Sequence, residues 1–385
     1  MQENQIQLDH RIKKAGDLAK EAFQYLNKIQ TGAKSLLKTG DEAIDCHIKG
    51  LLPSDCILYA ANSGVGKTKK LFDVLEQILD ENINPNAKNI KTLEYQLEMK
   101  FLNRILRETN KLTSKKKSDI LTQEFTEEEK ELVKRYYENL QDERRFICEE
   151  SITTKEFYEM TRTFCELNKD ADSLVICLDH CLLLKKDDKF EDPLEALTSY
   201  INQLRKEFKN VYFILLSQMN RGSLTNIKDK DNSMIPTTAM IYGSSHFEFL
   251  CSYIVVMVDP FRLGINNYLK INPDRYDWLT DFMDVEDKNG KTSFKTIGNM
   301  FEFVLKTRES DNPYKNLFIK PMQLTSEQLE KMKQSVETKE TISTPSFSAP
   351  IFDSTPTVES IVKPIAFENL GSVFGSEEDD DSKPF

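Results

Sequence analysis

The run Ala61-Asn62-Ser63-Gly64-Val65-Gly66-Lys67-Thr68 has the spacing of a phosphate-binding loop, G-x-x-x-x-G-K-[S/T], with alanine at the first position. Gly64 and Gly66 would let backbone N–H groups curl around phosphate oxygens, and a helix starting at once would add its positive end. In that setting Lys67 reaches the β and γ phosphates of ATP, and the Thr68 hydroxyl can bind Mg²⁺. Such a site needs a carboxylate at the end of another apolar strand. Leu174-Val175-Ile176-Cys177-Leu178 ends on Asp179, which would order Mg²⁺ through its water shell. Hydrolysis also needs a group that orients or deprotonates the attacking water. Glu98, closing the run LEYQLE, is the candidate, since strand C-termini line the ligand crevice of such sheets; Glu94 sits nearer the strand's middle. The bland alternatives are a tight strand-to-helix turn at Gly64 and a turn-capping aspartate at Asp179. The flanking strand and helix favour the phosphate reading.

These residues need a scaffold. Cys56–Ala60 reads as a short buried strand, followed by a helix over Thr68–Leu79. Further strands are expected at Lys91–Leu97, Phe146–Cys148, Leu174–Leu178, Val211–Leu216 and Tyr253–Val258. Helices are expected over Phe101–Thr109, in a charged stretch through Asn139, over Lys155–Leu167 with Thr153 and Glu156 as a capping box, and over Pro193–Phe208. Continuously apolar strands alternating with helices give an α/β domain around a mainly parallel sheet. Phe301–Lys306 and Leu317–Pro321 read as closing strands in a hairpin. Ahead of the core, Ile12, Ala15, Leu18, Ala22, Phe23, Leu26 and Ile29 make one apolar stripe, which predicts a helix from about Asp9 to Leu37 ended by Gly40. That stripe suits either a core helix or a helix docked on a neighbouring subunit. Beyond about Met332, Ser, Thr, Pro and acidic residues dominate, a composition too poor in apolar surface to fold alone. The expected divisions are therefore 1–38, 39–331 and a disordered tail at 332–385.

The 385 residues carry a formal net charge of -11, with 39% hydrophobic and 30% charged residues, as in a soluble globular protein. The apolar runs are too short and interrupted to cross a bilayer, and the N-terminus has no secretion signal. Seven cysteines without CxxC pairs suit a reducing cytoplasm, and four histidines without ligand spacing argue against zinc. The acidic balance does not exclude nucleic acid, because phosphate binding needs local basic residues only. The last ten residues, SEEDDDSKPF, concentrate five acids against one lysine.

Several segments, in order, resemble the replicative hexameric helicases of the DnaB type within the RecA-like superfamily. TGDEAIDCHIKGLLPSDCILYAANSGVGKT resembles that family's approach to its phosphate loop. LEMKFLNRIL is similar to its Leu-Glu-Met segment with an arginine downstream. RFICEESITTKEFYEMTRTF resembles the strand and helix before the second carboxylate, LLSQMNRG the following strand and sensor glutamine, and LKTRES the late lysine-x-arginine segment. The resemblance spans roughly Thr39 to Lys320. It implies a RecA-like core with Glu98 as catalytic base and Gln218 as the γ-phosphate sensor coupled to a DNA loop. Lys306 and Arg308 would project into a neighbouring subunit's ATP. It implies a hexameric ring translocating 5′-to-3′ on single-stranded DNA, and an N-terminal linker helix gripping a neighbour. The sequence departs from the family at His180 and Leu182, where tyrosine and glutamine are usual. It lacks the arginine-glutamate pair before Gly243 and Ser244, and ESDNPY follows Arg308 in place of a glycine-rich turn.

In that reading two loops face the central channel. One holds Lys185, Lys186 and Lys189; the other, Gly222–Gly243, holds Lys228 and Lys230 next to Arg221, diluted by Asp187, Asp188, Asp229 and Asp231. Tyr268, Tyr276 and Trp278, in a connection over 264–300 that is longer than usual, read as a packing cluster. The tip DDDSKPF resembles the acidic tips of single-stranded-DNA-binding proteins, which implies docking of Phe385 on a replication partner. A compact helicase with such a tail suggests a phage or plasmid replicon, working in the host cytoplasm. Two other functions remain open from sequence: a RecA-like strand-exchange recombinase, and an ATP-binding helicase loader or adaptor.

Overall fold

The computed structural model describes residues 14–220, 222, 235–271, 273–284, 292–308, 310 and 315–322. Eight strands form one sheet: β1 (Cys56–Ala61), β2 (Ile90–Gln96), β3 (Arg145–Cys148), β4 (Ser173–Asp179), β5 (Val211–Gln218), β6 (Tyr253–Val258), β9 (Asn299–Thr307) and β10 (Leu317–Pro321). The order across the sheet is β10-β9-β6-β1-β5-β4-β2-β3. Neighbours from β6 to β3 pair in parallel, whereas β9 runs against both β6 and β10. The expected hairpin closes the sheet there, and the RecA-like α/β architecture is borne out.

Strand periodicity explains why both faces are covered. In β1, Cys56, Leu58 and Ala60 point into one apolar layer with Leu174, Ile176 and Leu178 of β4, under the helices α7 (Thr154–Leu167) and α8 (Pro193–Glu207). Ile57, Tyr59 and Ala61 point the other way, against Leu71, Val74, Leu75 and Ile78 of α3 (Lys67–Ile78). Each such leucine or isoleucine, fully buried, contributes about 1.5–3 kcal/mol. Helix α7 starts where the sequence indicated: Thr153 accepts from the Glu156 amide while the Glu156 carboxylate accepts from Thr153.

The first helix departs from expectation. Helix α1 spans Ala15–Gln30, not Asp9–Leu37; residues 1–13 lie outside the described ones. The stop is Gly32, which takes a left-handed φ of 72°, and its amide donates to the Ile29 carbonyl. Leu37 instead bridges to Leu51 in the core. No residue of α1 is buried, and Leu18, Phe23 and Leu26 are exposed on it, so it is not a core helix of this chain. α2 (Glu42–Asp45) follows, capped by Asp41. Between β2 and β3 the charged stretch forms α4 (Phe101–Thr113), α5 (Lys117–Thr122) and α6 (Glu127–Leu140).

Residues 264–300 hold a small second sheet of β7 (Asn267–Ile271) and β8 (Thr292–Lys295). Tyr268, Tyr276, Phe294 and Phe301 meet edge to face there, and the Trp278 indole N–H donates to the Leu317 carbonyl at 3.1 Å. The aromatic residues are thus packing, as the sequence suggested. Among the described residues, no helix is long and apolar enough to cross a membrane. The tail over 332–385 lies outside the described residues.

Candidate nucleotide site

The phosphate loop sits where β1 turns into α3. Gly64 and Gly66 adopt φ of 77° and 114°, a region side chains other than glycine rarely enter. Ala61 needs no such freedom, because it closes β1 as an ordinary strand residue paired with Gln218. This explains why alanine is tolerated at the loop's first position. The Lys67 ammonium folds back over the loop and donates to the carbonyls of Ala61 (3.2 Å) and Asn62 (3.3 Å). Burial lowers its pKa, against the pull of Glu98 and Asp179.

Two strands deliver the acidic side. The Thr68 hydroxyl donates to Asp179 Oδ2 at 2.7 Å. The second carboxylate oxygen, Oδ1, is buried without a hydrogen-bond partner among the described residues. Burial pushes the Asp179 carboxyl up to about 6, helped by the nearby Glu98 charge and opposed by the Thr68 hydrogen bond, Lys67 and Arg107. A hydroxyl and a carboxylate with one spare oxygen are the hard donors that suit Mg²⁺, so these residues fit the ion. In register, Gln96 of β2 pairs with Asp179, and the Leu97 amide donates to the Asp179 carbonyl at 2.6 Å. This sets Glu98 beside Asp179, exposed toward the crevice.

Glu94 has a different task. It is fully buried, held by Arg145 at 2.7 Å and Arg104 at 3.2 Å, with the Gln96 amide donating to it as well. Arg104, the arginine downstream of Leu-Glu-Met, also stacks on the Phe72 ring at 3.4 Å. Its charge is thus neutralised inside the fold. Arg107, one helical turn further, is exposed and lies within electrostatic reach of Asp179. Sequence reasoning passed over it, although its i+3 spacing from Arg104 on a helix just behind Glu98 signals it.

Gln218 ends β5 level with Ala61, at the rim where the phosphate loop begins. His180, the residue after Asp179, is buried; its Nδ1 accepts from the Leu182 amide at 3.2 Å. Burial, with Lys67 nearby, lowers its pKa.

Two cavities flank the loop. One, of about 310 Å³, is lined by Asn62, Gly64, Val65, Asp259, Arg262 and Leu263. Arg262 donates to the Gly64 carbonyl, and a Cβ on Gly64 would meet its guanidinium at 2.8 Å. The other, of about 350 Å³, has Val65, Met257, Met300 and Met322 as apolar walls. At its base lies a buried four-charge cluster. Lys70 pairs with Asp41 (2.8 Å) and Glu302 (2.7 Å), Lys320 pairs with Asp41 and with Glu302 (2.9 Å), and the Tyr59 hydroxyl donates to Asp41 at 2.7 Å. Neither Arg262 nor this cluster was legible as part of the site.

Lys306 and Arg308 are not in this crevice. Lys306 pairs with Ile254 at the start of β6, and the Arg308 amide donates to Ser252 at 2.9 Å. Since β6 and β1 are parallel, that places both at the sheet rim opposite the phosphate loop of their own chain. Lys306 also donates to the Glu248 carbonyl on α9 (Ser244–Leu250). Lys185, Lys186 and Lys189 are exposed on the loop after β4, and Lys185 bridges to Thr153. Asp187 lies in the same loop. Its carboxylate is turned inward and accepts from Thr154 (2.8 Å), Tyr200 (3.0 Å) and the amides of Lys189 and Phe190. Arg221, Lys228 and Lys230, with most of their loop, lie outside the described residues.

A mainly parallel sheet with a glycine-turned phosphate loop on its first strand, joined through Thr68 to a strand-ending aspartate, defines a RecA-like P-loop ATPase. The DnaB-like helicase C-terminal domain family matches residues 37–250, more than half of the chain, and the chain belongs to that family. Helicase-type ATPase character and a place in replication follow from that membership. The solved structure "ATPase Domain of G40P" is similar at 15% identity and a TM-score of 0.56, covering 81% of this chain and 100% of the other. A second, "The Structure Of A DnaB-Like Replicative Helicase And Its Interactions With Primase", is similar at 16% identity and a TM-score of 0.51, covering 78% of this chain and 62% of the other. No curated protein matches the chain by sequence.

Proposed function

We propose that the protein is an ATP-driven replicative DNA helicase that assembles as a homohexameric ring and translocates along single-stranded DNA, its ATPase stimulated by that DNA. The observation that carries this reading is the split of the charged groups between two rims of one sheet. Lys67, Thr68, Glu98, Asp179 and Gln218 gather at one rim, whereas Lys306 and Arg308 occupy the other. Subunits arranged head to tail in a closed ring would bring one rim against the next.

In that arrangement the loop amides and Lys67 hold the triphosphate. Thr68 and Asp179 would hold Mg²⁺, which supplies positive charge to the phosphate oxygens when bound. Glu98 takes the proton of the attacking water, and Gln218 contacts the γ-phosphate. Lys306 and Arg308 from the neighbour stabilise the negative charge of the transferring phosphoryl group. Lys185, Lys186, Arg221, Lys228 and Lys230 track DNA phosphates without reading sequence. The exposed apolar stripe of α1 supports docking on the adjacent subunit, with the core beginning near Thr39. The tail ending at Phe385 would recruit a replication protein.

The test is ATP turnover with and without single-stranded DNA, unwinding of a forked duplex, and particle imaging with ATP. Stimulated turnover, nucleotide-dependent unwinding and closed six-membered rings are expected. Absence of unwinding by active, assembled protein rejects the helicase, and continuous filaments on DNA would replace it with strand exchange.

A further inference from the structure

A lysine on a slack loop is a poor phosphate ligand, because its ordering must be completed each time it binds. The segment after β4 carries three exposed lysines, Lys185, Lys186 and Lys189, outside the eight-stranded sheet and its helices. It is nevertheless tied down along its length. At its start, the Lys185 amide donates to the Ile152 carbonyl and the Lys185 carbonyl accepts from the Thr154 amide, both at 3.0 Å. At its end, the Asp192 carboxylate accepts from the Leu194 amide at 2.9 Å and caps α8.

Asp187 stands between these ties and is only 7% exposed, although its neighbours Lys186 and Asp188 are exposed. A carboxylate is costly to bury unless its oxygens are engaged, and both are. Oδ2 accepts from the Thr154 hydroxyl at 2.8 Å, at the start of α7, and from the Tyr200 hydroxyl at 3.0 Å, on α8. Oδ1 accepts from the amides of Lys189 at 2.8 Å and Phe190 at 3.0 Å. One side chain therefore joins two helices to the loop's own backbone. Aromatic packing adds to the anchor: the Tyr200 ring stacks on Tyr158 at 4.9 Å and meets the Phe190 ring edge to face at 5.7 Å.

We propose that Asp187 is a positioning residue for DNA binding: its carboxylate, seated between α7 and α8, holds the loop backbone so that Lys185, Lys186 and Lys189 meet the phosphates of single-stranded DNA already ordered. This rests on that loop being a DNA contact. An acid that acted only through its charge would oppose DNA binding, so the two roles predict effects of opposite sign when the acid is removed.

The experiment is equilibrium binding of a fluorescent oligo(dT) by the full-length chain, with Mg²⁺ and a non-hydrolysable ATP analogue, over a range of salt concentrations. Asp187→Ala and Asp187→Asn both remove the negative charge, but only the amide can still accept from the loop N–H groups. Asp187→Ala should raise Kd about tenfold, the scale of ordering one or two long side chains on binding. Asp187→Asn should bind as the wild type does or slightly more tightly. Lys185→Gln, Lys186→Gln and Lys189→Gln together should flatten the slope of log K against log salt by about 2, at about 0.7 for each phosphate contact. In that background Asp187→Ala should cost nothing further. Tighter or unchanged binding by Asp187→Ala, no difference between Asp187→Ala and Asp187→Asn, or an equal loss in both backgrounds overturns the proposal. If a thermal melt shows that Asp187→Ala has lost its fold, Thr154→Val combined with Tyr200→Phe decides. That pair frees Oδ2 from both helices and should weaken binding in the same direction; unchanged binding by the folded pair overturns the proposal. If the triple lysine variant keeps the wild-type slope, the loop is not a DNA contact, and the reading beneath the proposal fails with it.

Discussion

Thr68 and Asp179, 111 residues apart in the chain, are joined by a 2.7 Å hydrogen bond that ties the first turn of α3 to the end of β4. The bond fixes the separation between the loop that holds phosphate and the carboxylate that holds the metal's water shell. It also leaves Asp179 Oδ1 buried with no partner among the described residues, an arrangement that is costly without a ligand.

Asp179→Asn should therefore separate stability from activity. Burial raises the carboxyl to about 6, so the folded chain holds this proton more tightly than the unfolded chain does. The associated stability is full below about pH 4, the ordinary carboxylate range, and is lost as pH rises through about 6. In metal-free buffer at pH 7.5 (about neutral, above both values), Asp179→Asn should melt at the same or a higher temperature than the wild type. Its Mg²⁺-dependent ATP turnover should fall by about 10²-fold or more. A variant that melts lower at neutral pH would contradict the burial argument.

Glu98 and Glu94, four residues apart, should respond oppositely to loss of charge. Glu98→Gln is expected to bind nucleotide and fold normally while losing turnover, because an amide cannot take the water's proton. Glu94→Gln leaves Arg104 and Arg145 buried with a weakened partner and should lose about 3–5 kcal/mol of stability. Denaturant unfolding alongside an ATPase assay checks both. Loss of activity in Glu94→Gln with unchanged stability would move the base to that residue.

The four-charge cluster predicts acid sensitivity. Burial works against the Asp41 carboxylate, but Lys70 and Lys320 more than offset it and hold its pKa well below the usual range. A depressed folded pKa means the stabilisation is present above about pH 4 and disappears as pH falls below it. Lys320→Met should weaken this and lower the melting temperature at pH 7, with a smaller difference from wild type at pH 3 (both pH values taken relative to the ordinary carboxylate range, about 4). An equal difference at the two pH values would mean that Lys320 acts through packing alone.

Local signals were readable from the chain because they depend on neighbours in sequence. The continuous apolar runs of β1, β4 and β6, the Thr153–Glu156 capping box and the Gly64–Thr68 spacing each declare their structure within a few residues. Gly32 was equally local, and the apolar spacing that continues past it to Leu36 and Leu37 obscured it as a helix stop. What was not readable depends on sheet order. Lys70 meets Glu302 across 232 residues, and Arg262 meets Gly64 across 198, through contacts that no periodicity encodes. His180 stood out only as a departure from a family pattern, because its burial in the site follows from β4 being enclosed between β5 and β2.

The placement of Arg308 gives the sharpest test of a shared site. Lys67→Ala should abolish turnover by removing the phosphate-loop charge, and Arg308→Ala should abolish it while nucleotide binding in its own crevice is preserved. If each ATP is enclosed by one chain's Lys67 and its neighbour's Arg308, mixing the two inactive proteins restores some complete sites. An Arg308→Ala subunit still offers Lys67, and a Lys67→Ala subunit still offers Arg308. Partial recovery of ATP turnover after co-assembly is therefore expected, rising and then falling as the mixing ratio passes through equality. Action within one chain would predict no recovery at any ratio, because every subunit then carries a broken site. The position of Arg308 beside Ser252, at the far rim from Gly64 and Lys67, is what makes the first outcome the expected one.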